Sequence, residues 1–541
     1  MAKKTVAARV GWACGWAWVV AGTGCAAVTP RIPSPRAPSE GVAPEVDALP
    51  WAALNAEAFA RARAEGRIVL IDGSAEWCHW CHVMDATTYR DPEVRKLLAE
   101  RFLPVKVDID SRPDFEERYH DWGWPATVFM TSNAEEISKF KGYMAPAKFL
   151  EVLRAAATAP PPARPPAEQS TAMQPGPLSE GQLSEAAAHA QHALEELWDP
   201  RHGSWGDEQK VPLSWDNAWA LAQARKGDAT AKQRALFTLA QQRSIIDPVW
   251  GGICQYSTDG DWLHPHFEKL AGYQAGAIDN YATAYDLTGD ARWLATAQQV
   301  RGFVDHFLTG PEGGFYATMD AGLNAHDPGK TLVSGHDYYA RDDAGRRALG
   351  IPRVDTHEYG RENGLLIAAY ATLGQLGHDP TAIAIAERAA ARVLATHATS
   401  LGGITHDGDG DSDVLYLADN AAFGFGLARL YEVTKSPAYL EAATRIADFL
   451  LRELADPAGG FLASTPDPTA VGVLAARRKP FEENVMAIRF LAHLSRVAPD
   501  QAYRAAIGKA LAVVGTREAI DDRGRMLGDL LLALDETTNL R

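Results

Sequence analysis

Apolar and polar positions follow two different rhythms along the 541 residues. Up to about residue 157, short apolar runs are interleaved with stretches of helical period. Residues 53–65 read as a helix, 67–71 as a strand, 92–102 as a helix, 103–109 and 126–130 as strands, and 146–157 as a closing helix. Alternation of this kind predicts a sheet covered by helices. Beyond residue 178 the period is helical throughout. Apolar stripes fall at 180–197, 214–226, 231–245, 269–287, 291–308, 361–375, 380–396, 417–432, 437–454, 481–496, 501–514 and 526–534. Glycine-rich turns recur between them: Gly203-Ser204-Trp205-Gly206, Gly251-Gly252-Ile253, Gly313-Gly314-Phe315, Gly402-Gly403-Ile404 and Gly459-Gly460-Phe461. The long polar segments all follow the odd-numbered stripes. Six helical hairpins with their long loops at one end predict a closed α/α barrel, with an open superhelix as the alternative.

Punctuation between the rhythms divides the chain. Residues 158–178 are rich in Pro, Ala and Gln and read as a linker. They separate a domain at 51–157 from one at 179–541. The expected fold class is therefore an α/β domain followed by an all-α six-hairpin toroid. At the N-terminus, Lys3, Lys4 and Arg9 precede an apolar run, Val10 to Val20, and the small residues before Cys25 follow. This resembles a bacterial lipoprotein signal over residues 1–24, with Cys25 as the lipidated residue. Residues 25–50 form a Pro/Ser/Ala-rich spacer. An uncleaved anchor is the alternative, although the apolar run is short for a full span. Either way the expected location is exported and membrane-anchored, with membrane contact through this segment alone.

A formal net charge of −16, with no basic block, argues against nucleic acid or an anionic membrane surface as partner. Five cysteines, at 14, 25, 78, 81 and 254, do not make a disulfide scaffold. Their only local pair lies in the hexad Trp77-Cys78-His79-Trp80-Cys81-His82, where a strand gives way to a helix. Asp72 stands six residues before Cys78, Lys106 lies in Val105-Lys106-Val107-Asp108, and Pro125 sits in Gly123-Trp124-Pro125-Ala126-Thr127. Together these resemble the thioredoxin superfamily. The resemblance implies a buried carboxylate at Asp72, a lysine beside it, and a cis-proline loop facing the disulfide. Cys78, at a helix start, is then the attacking thiol, its thiolate favoured by orphan N–H groups and the helix dipole. Cys81 is the resolving thiol, and Asp72 accepts its proton. A partly cationic His79 biases the pair toward oxidising its clients. Trp77 and Trp80 shape a docking surface or cover the disulfide. Two other readings stay open: a redox-inert staple, and a zinc or copper site using His79 and His82. No cofactor and no metal are expected.

The long segments of the helical domain carry His264, His266, Glu268, Asp320, Arg361, Glu362, Asp419 and Glu482, which ring one mouth if the barrel closes. Carboxylates and histidines around a cavity suit sugar chemistry, with Asp320 and Glu362 as a candidate acid/base pair. Asp216, Asp419 and Asn484 are equally suited to capping helices. Cys254 reads as an isolated, semi-buried thiol. Five ordered motifs, Cys78-His79-Trp80-Cys81-His82-Val83-Met84, Pro265-His266-Phe267-Glu268-Lys269-Leu270, Gly314-Phe315-Tyr316, Asn363-Gly364-Leu365-Leu366 and Asp419-Asn420-Ala421-Ala422, resemble one family. It is the thioredoxin-like proteins with an appended six-hairpin barrel, including the spermatogenesis-associated ones, whose barrel is similar to sugar epimerases and glycosidases. Lys210-Val211-Pro212 departs from the family's Lys-Phe-Pro, and the exported N-terminus departs from a cytoplasmic setting. The expected function is a membrane-tethered thiol–disulfide oxidoreductase whose barrel docks a client disulfide protein, a redox partner or a glycan. A carbohydrate epimerase or hydrolase, and a silent binding module, are the alternatives.

Overall fold

The computed structural model describes residues 49–120, 123–159, 177–325, 327, 329–408 and 413–540. The signal, Cys25 and nearly all of the spacer lie outside them, as does most of the 158–178 linker. The α/β part opens with helix α1 (Ala56–Glu65). Asn55 caps its start by accepting the Ala58 N–H, and Gly66 in the left-handed region ends it. There follow β1 (Ile68–Ser74), α2 (His79–Ala86), α3 (Pro92–Arg101), β2 (Phe102–Asp108), α4 (Pro113–Tyr119), β3 (Ala126–Met130), β4 (Glu136–Lys141) and α5 (Pro146–Thr158). Strand order is β2-β1-β3-β4, with β1 parallel to β2 and antiparallel to β3. Alternation along β1 sends Val69 and Ile71 to one face, with Phe59 of α1 and Phe115 of α4. Leu70 goes to the other, with Met84, Leu98 and Phe149 of α2, α3 and α5. Two elements were not foreseen, α4 and β4. Both are short and polar, and β4 is a half-exposed edge strand.

The helical part contains α6 (Glu180–Glu196), α7 (Ser214–Arg225), α8 (Ala229–Gln242), α9 (Ala271–Thr288), α10 (Ala291–Phe307), α11 (Gly335–Tyr339), α12 (Asp343–Leu349), α13 (Gly360–Leu376), α14 (Pro380–Thr396), α15 (Leu417–Thr434), α16 (Pro437–Phe449), α17 (Phe481–Val497), α18 (Gln501–Val514), α19 (Arg517–Asp521) and α20 (Gly528–Thr537). All twelve expected stripes are helical. Helices α7, α9, α13, α15, α17 and α20 pack each on the next, and α20 returns to α7, so the ring closes. The inner helices are buried nearly all round, as the run Leu366 to Gly374 in α13 shows. Outer helix α14 buries only the stripe Ala382, Ala386, Ala389, Ala390 and Val393. Turns of two or three residues join α7, α9, α13, α15 and α17 to the outer helix that follows. The inner helices therefore run the same way, and their N-termini share one mouth.

Four of the five recurring glycine turns, all but the one at Gly203–Gly206, share one physical cause. Near the start of an inner helix, an amide side chain reaches back to the turn before it. Asn363 bonds the backbone N–H and C=O of Phe315, Asn420 those of Ile404, Asn484 those of Phe461, and Gln274 those of Ile253. A Cβ at Gly403 would stand 2.8 Å from Asn420 Oδ1, which leaves glycine the residue that fits.

Short strands line the mouth. β5 (Tyr256–Ser257) pairs with β6 (Pro265–His266), and β7 (Lys269–Leu270), β8 (Thr318–Met319) and β9 (Val354–Asp355) form a second small sheet. The described residues cohere as one compact unit, and the α/β part contacts loops of the mouth through Leu270, Arg353 and His406. Among the described residues no helix is long and apolar enough to cross a membrane.

Candidate active site at the thiol pair

β1 ends at Ser74, and the chain turns into α2 with Cys78 as its N-cap, where Sγ lies 3.2 Å from the Cys81 N–H. Cys78 and Cys81 are joined by a disulfide. Both are buried, at 4% and 3% exposure. Register sets the groups around them. Asp72 pairs with Lys106 on β2 and Thr127 on β3, so the three side chains share a face. Asp72 is 1% exposed, lies 3.6 Å from Lys106 Nζ and accepts the Tyr89 hydroxyl at 3.1 Å. Burial pushes its pKa up to about 6, against the pull of Lys106. Lys106 itself is held closer by Asp85, at 2.6 Å. The Trp124–Pro125 peptide bond is cis, immediately before Ala126 opposite Gly73.

The pair does not face open solvent. Leu270 of β7 packs on the cluster containing Trp77, Cys78 and Cys81. Glu268, just ahead of it, lies against the backbone N–H of His79. Glu268 is 2% exposed, and its Oε2 has no hydrogen-bond partner. Burial pushes its pKa up to about 7, with the backbone N–H groups opposing and Asp320 adding to the rise. His266 Nδ1 stands 3.9 Å from Glu268 Oε2, and its ring stacks on Tyr256 at 4.1 Å. Burial pushes His266 down to about 4, and nearby His79 adds to the fall. Tyr256 in turn hydrogen-bonds Trp80, whose ring stacks on Tyr143 and is 43% exposed.

His79 corrects an expectation. Burial pushes its imidazole below the ordinary histidine pKa, only partly offset by Asp320, so near neutral pH it is uncharged and not a cation favouring thiolate. Cys254 is unpaired and fully buried rather than half-buried, and burial raises its pKa to about 11.

Comparisons with known proteins bear on the family and the fold. Residues 43–157 match the family model described as "Protein of unknown function, DUF255". Spermatogenesis-associated protein 20 of Homo sapiens is 30% identical over 311 residues, covering 51% of this chain and 39% of that protein. The chain thus spans about two-fifths of the length of that curated relative. Thiol:disulfide interchange protein DsbD of Tatumella citrea is 33% identical over 97 residues, 17% of each chain. Among solved structures, a sugar epimerase from a ruminal bacterium covers 66% of this chain and 100% of its own, at TM-score 0.51 and 12% identity, a likeness of fold. The chain is a thioredoxin-like domain fused to a six-hairpin α/α barrel.

The barrel's other candidate residues divide into separate groups. Asp320 stands with His79 and Glu268, whereas Glu362 lies beside Arg361 and near Asp419. Asp320 and Glu362 thus have different nearest charged neighbours. Asp419 accepts the Arg361 N–H at the start of α13 and pairs with His406 at 3.0 Å. Asp216 does the same for α20, accepting from Leu527 and Gly528. Both cap the neighbouring inner helix. Glu482 is paired with Arg523. His264 is half-exposed in the 258–264 turn, bonded to Asp261, and is not brought to Glu268.

Several contributors had no signal in the sequence. Trp77 Nε1 donates to Asp110 Oδ2 at 2.6 Å, and His406 of the barrel meets the Asp110 carbonyl at 2.7 Å. Arg353 pairs with Glu76 at 2.7 Å. The separation of His406 from Asp110, 296 residues, leaves no local pattern to read. Tyr89, by contrast, is within reach of inference once Asp72 is expected to be buried, because a buried carboxylate needs donors.

Proposed function

We propose that the thioredoxin-like domain is a thiol–disulfide oxidoreductase whose Cys78–Cys81 pair exchanges with thiols admitted between the domain and the barrel. The observation that carries this reading is a disulfide at a helix N-terminus, beside a buried Asp72 and beneath the barrel strand at Leu270. A substrate thiolate attacks Cys78 Sγ, the Sγ–Sγ bond breaks, and Cys81 leaves as a thiolate that takes up a proton. A second substrate thiol then displaces Cys78, so one dithiol is oxidised to a disulfide as the pair is reduced to two thiols. The reverse sequence reduces a client, and the partner's potential sets the direction.

Burial of both cysteines supports a small thiol or an extended segment as substrate rather than a broad protein surface. C81S chain, reduced and mixed with glutathione disulfide, should hold glutathione on Cys78 by mass, and C78S should hold none there. No glutathione on Cys78 of C81S, with the wild-type disulfide inert to reduced glutathione, contradicts the reading.

The segment ending at Cys25 supports a lipid tether outside the cytoplasm. C25A should then move the chain from the membrane to the soluble fraction, whereas unchanged membrane association would favour the uncleaved anchor. Chemistry on a sugar is the second reading, favoured by the barrel's likeness to a sugar epimerase fold and by the carboxyls of Glu268 and Asp320 at the mouth. H266A and D320N should abolish any sugar turnover, and no bound or converted sugar in the wild type would end that reading.

A further inference from the structure

Glu268 is a barrel residue, yet its carboxyl sits at the first N–H of α2, the helix that Cys78 caps. Glu268 combines three features, of which the helix-capping mouth carboxylates Asp216 and Asp419 share only burial. It is almost fully buried, one of its oxygens has no hydrogen-bond partner, and the strand residue two positions on packs against the core cluster that includes both cysteines. A buried acceptor oxygen left without a donor is costly unless something fills it in another state of the site. In the disulfide state neither cysteine carries a proton. Reduction creates an S–H at Cys78, on the same helix terminus.

We propose that Glu268 exchanges a proton with the Cys78 thiol, so that the barrel completes the redox site of the thioredoxin-like domain. This deepens, and rests on, the oxidoreductase reading. In the reducing direction the Glu268 carboxylate takes the Cys78 proton as Sγ bonds to one sulfur of the client disulfide. The client S–S bond breaks, its other sulfur leaves as a thiolate, and the protonated Glu268 returns the proton to it. Cys78 sulfur is oxidised and the leaving sulfur reduced. Asp72, whose neighbours are Lys106 and Tyr89, is a separate group and takes no part in this step.

The groups facing Glu268 fit this role. His266 from β6 and His79 from α2 are both held toward the neutral form by burial, so neither competes as a cation. Lys269 opposes and Asp320 supports retention of the proton. Tyr256 and Cys254 are pushed toward their neutral forms by burial, with Glu268's charge acting in the same direction. A carboxyl whose pKa is lifted to about 7 is matched to proton transfer with a thiol near neutral pH.

The test uses the full chain, chemically reduced, with alkylation of Cys78 by iodoacetamide followed by mass across pH 4.5 to 9.5. Two groups sharing a proton titrate as a pair, so the wild type should give a two-step profile. E268Q should give one step, and E268D should keep two. Exchange of reduced E268Q with glutathione disulfide at pH 7 should slow on the order of a hundredfold, the lower end of what a positioned base supplies. A single step in the wild type, or the same two steps in E268Q, overturns the proposal. Failure of the oxidoreductase reading looks different: the alkylation profile then stands while no variant, wild type included, exchanges with glutathione.

Discussion

Asp72 bonds the Tyr89 hydroxyl and lies near Lys106, yet burial dominates and lifts its pKa from 3.8 to about 6. A folded pKa above the unfolded one means stability that is complete below about pH 4 and is lost as pH rises through about 6. At neutral pH the carboxylate is therefore a cost, on the order of 1–3 kcal/mol for a shift of this size. D72N should raise the denaturation midpoint at pH 7.5 and change it little at pH 4. On the expected role of Asp72 as proton acceptor for Cys81, the same substitution should slow resolution of a Cys78 mixed disulfide by at least about tenfold. Loss of stability at pH 7.5 with unchanged resolution would show that Asp72 is an ordinary structural carboxylate.

Between elements, the tightest constraint is where inner helices α13 and α15 touch. A Cβ on Gly364 would lie 2.4 Å from backbone atoms of Ala422 and Phe423, and one on Gly426 would lie 2.5 Å from the Gly364 carbonyl. Backbone cannot yield as a flexible side chain can. G364A should cost about 1–3 kcal/mol or more in chemical denaturation, and an unchanged midpoint would contradict the close packing. The helices themselves were legible, because buried runs and one-sided stripes of helical period are long enough to read. The glycine turns were legible as repeats, but not their cause, the Asn363, Asn420 and Asn484 amides, which bond partners 16 to 48 residues away. Two-residue strands such as β7 and β8 have no period at all. Those strands lie beside Glu268 and Asp320, so nothing local in the sequence tells that both residues come near His79 of α2. Asp72, Cys78, Cys81 and Pro125 were legible because they lie on β1, on the helix that follows it and just before β3, in short motifs that resemble thioredoxins.

Across the whole molecule, the thioredoxin-like domain and the barrel mouth meet through Arg353–Glu76, His406–Asp110, the Val473 N–H on the Ala134 carbonyl, and apolar packing of Leu270, Val471 and Leu474. His406 is lifted to about 9, with Asp419 and the Asp110 carbonyl prevailing over burial, and His357 to about 9 chiefly by its bond to Asp355. Their support is complete below about pH 6.5 and is lost as pH rises through about 9. The seating should therefore loosen at alkaline pH, and H406A should loosen it already at pH 7.5. Limited proteolysis within the mouth loops, faster in H406A than in the wild type at pH 7.5, would report it. Equal cleavage rates would place the support elsewhere.

The most direct test of the account is a redox titration of the intact chain. It would be equilibrated in glutathione buffers spanning roughly −300 to −100 mV, and the fraction of molecules with Cys78 joined to Cys81 read by mass. The account predicts one two-electron transition within that range, absent from C78S and C81S. A disulfide that stays fully formed across the whole range would contradict it and leave the pair a structural link, and a pair that stays fully open would contradict it as well.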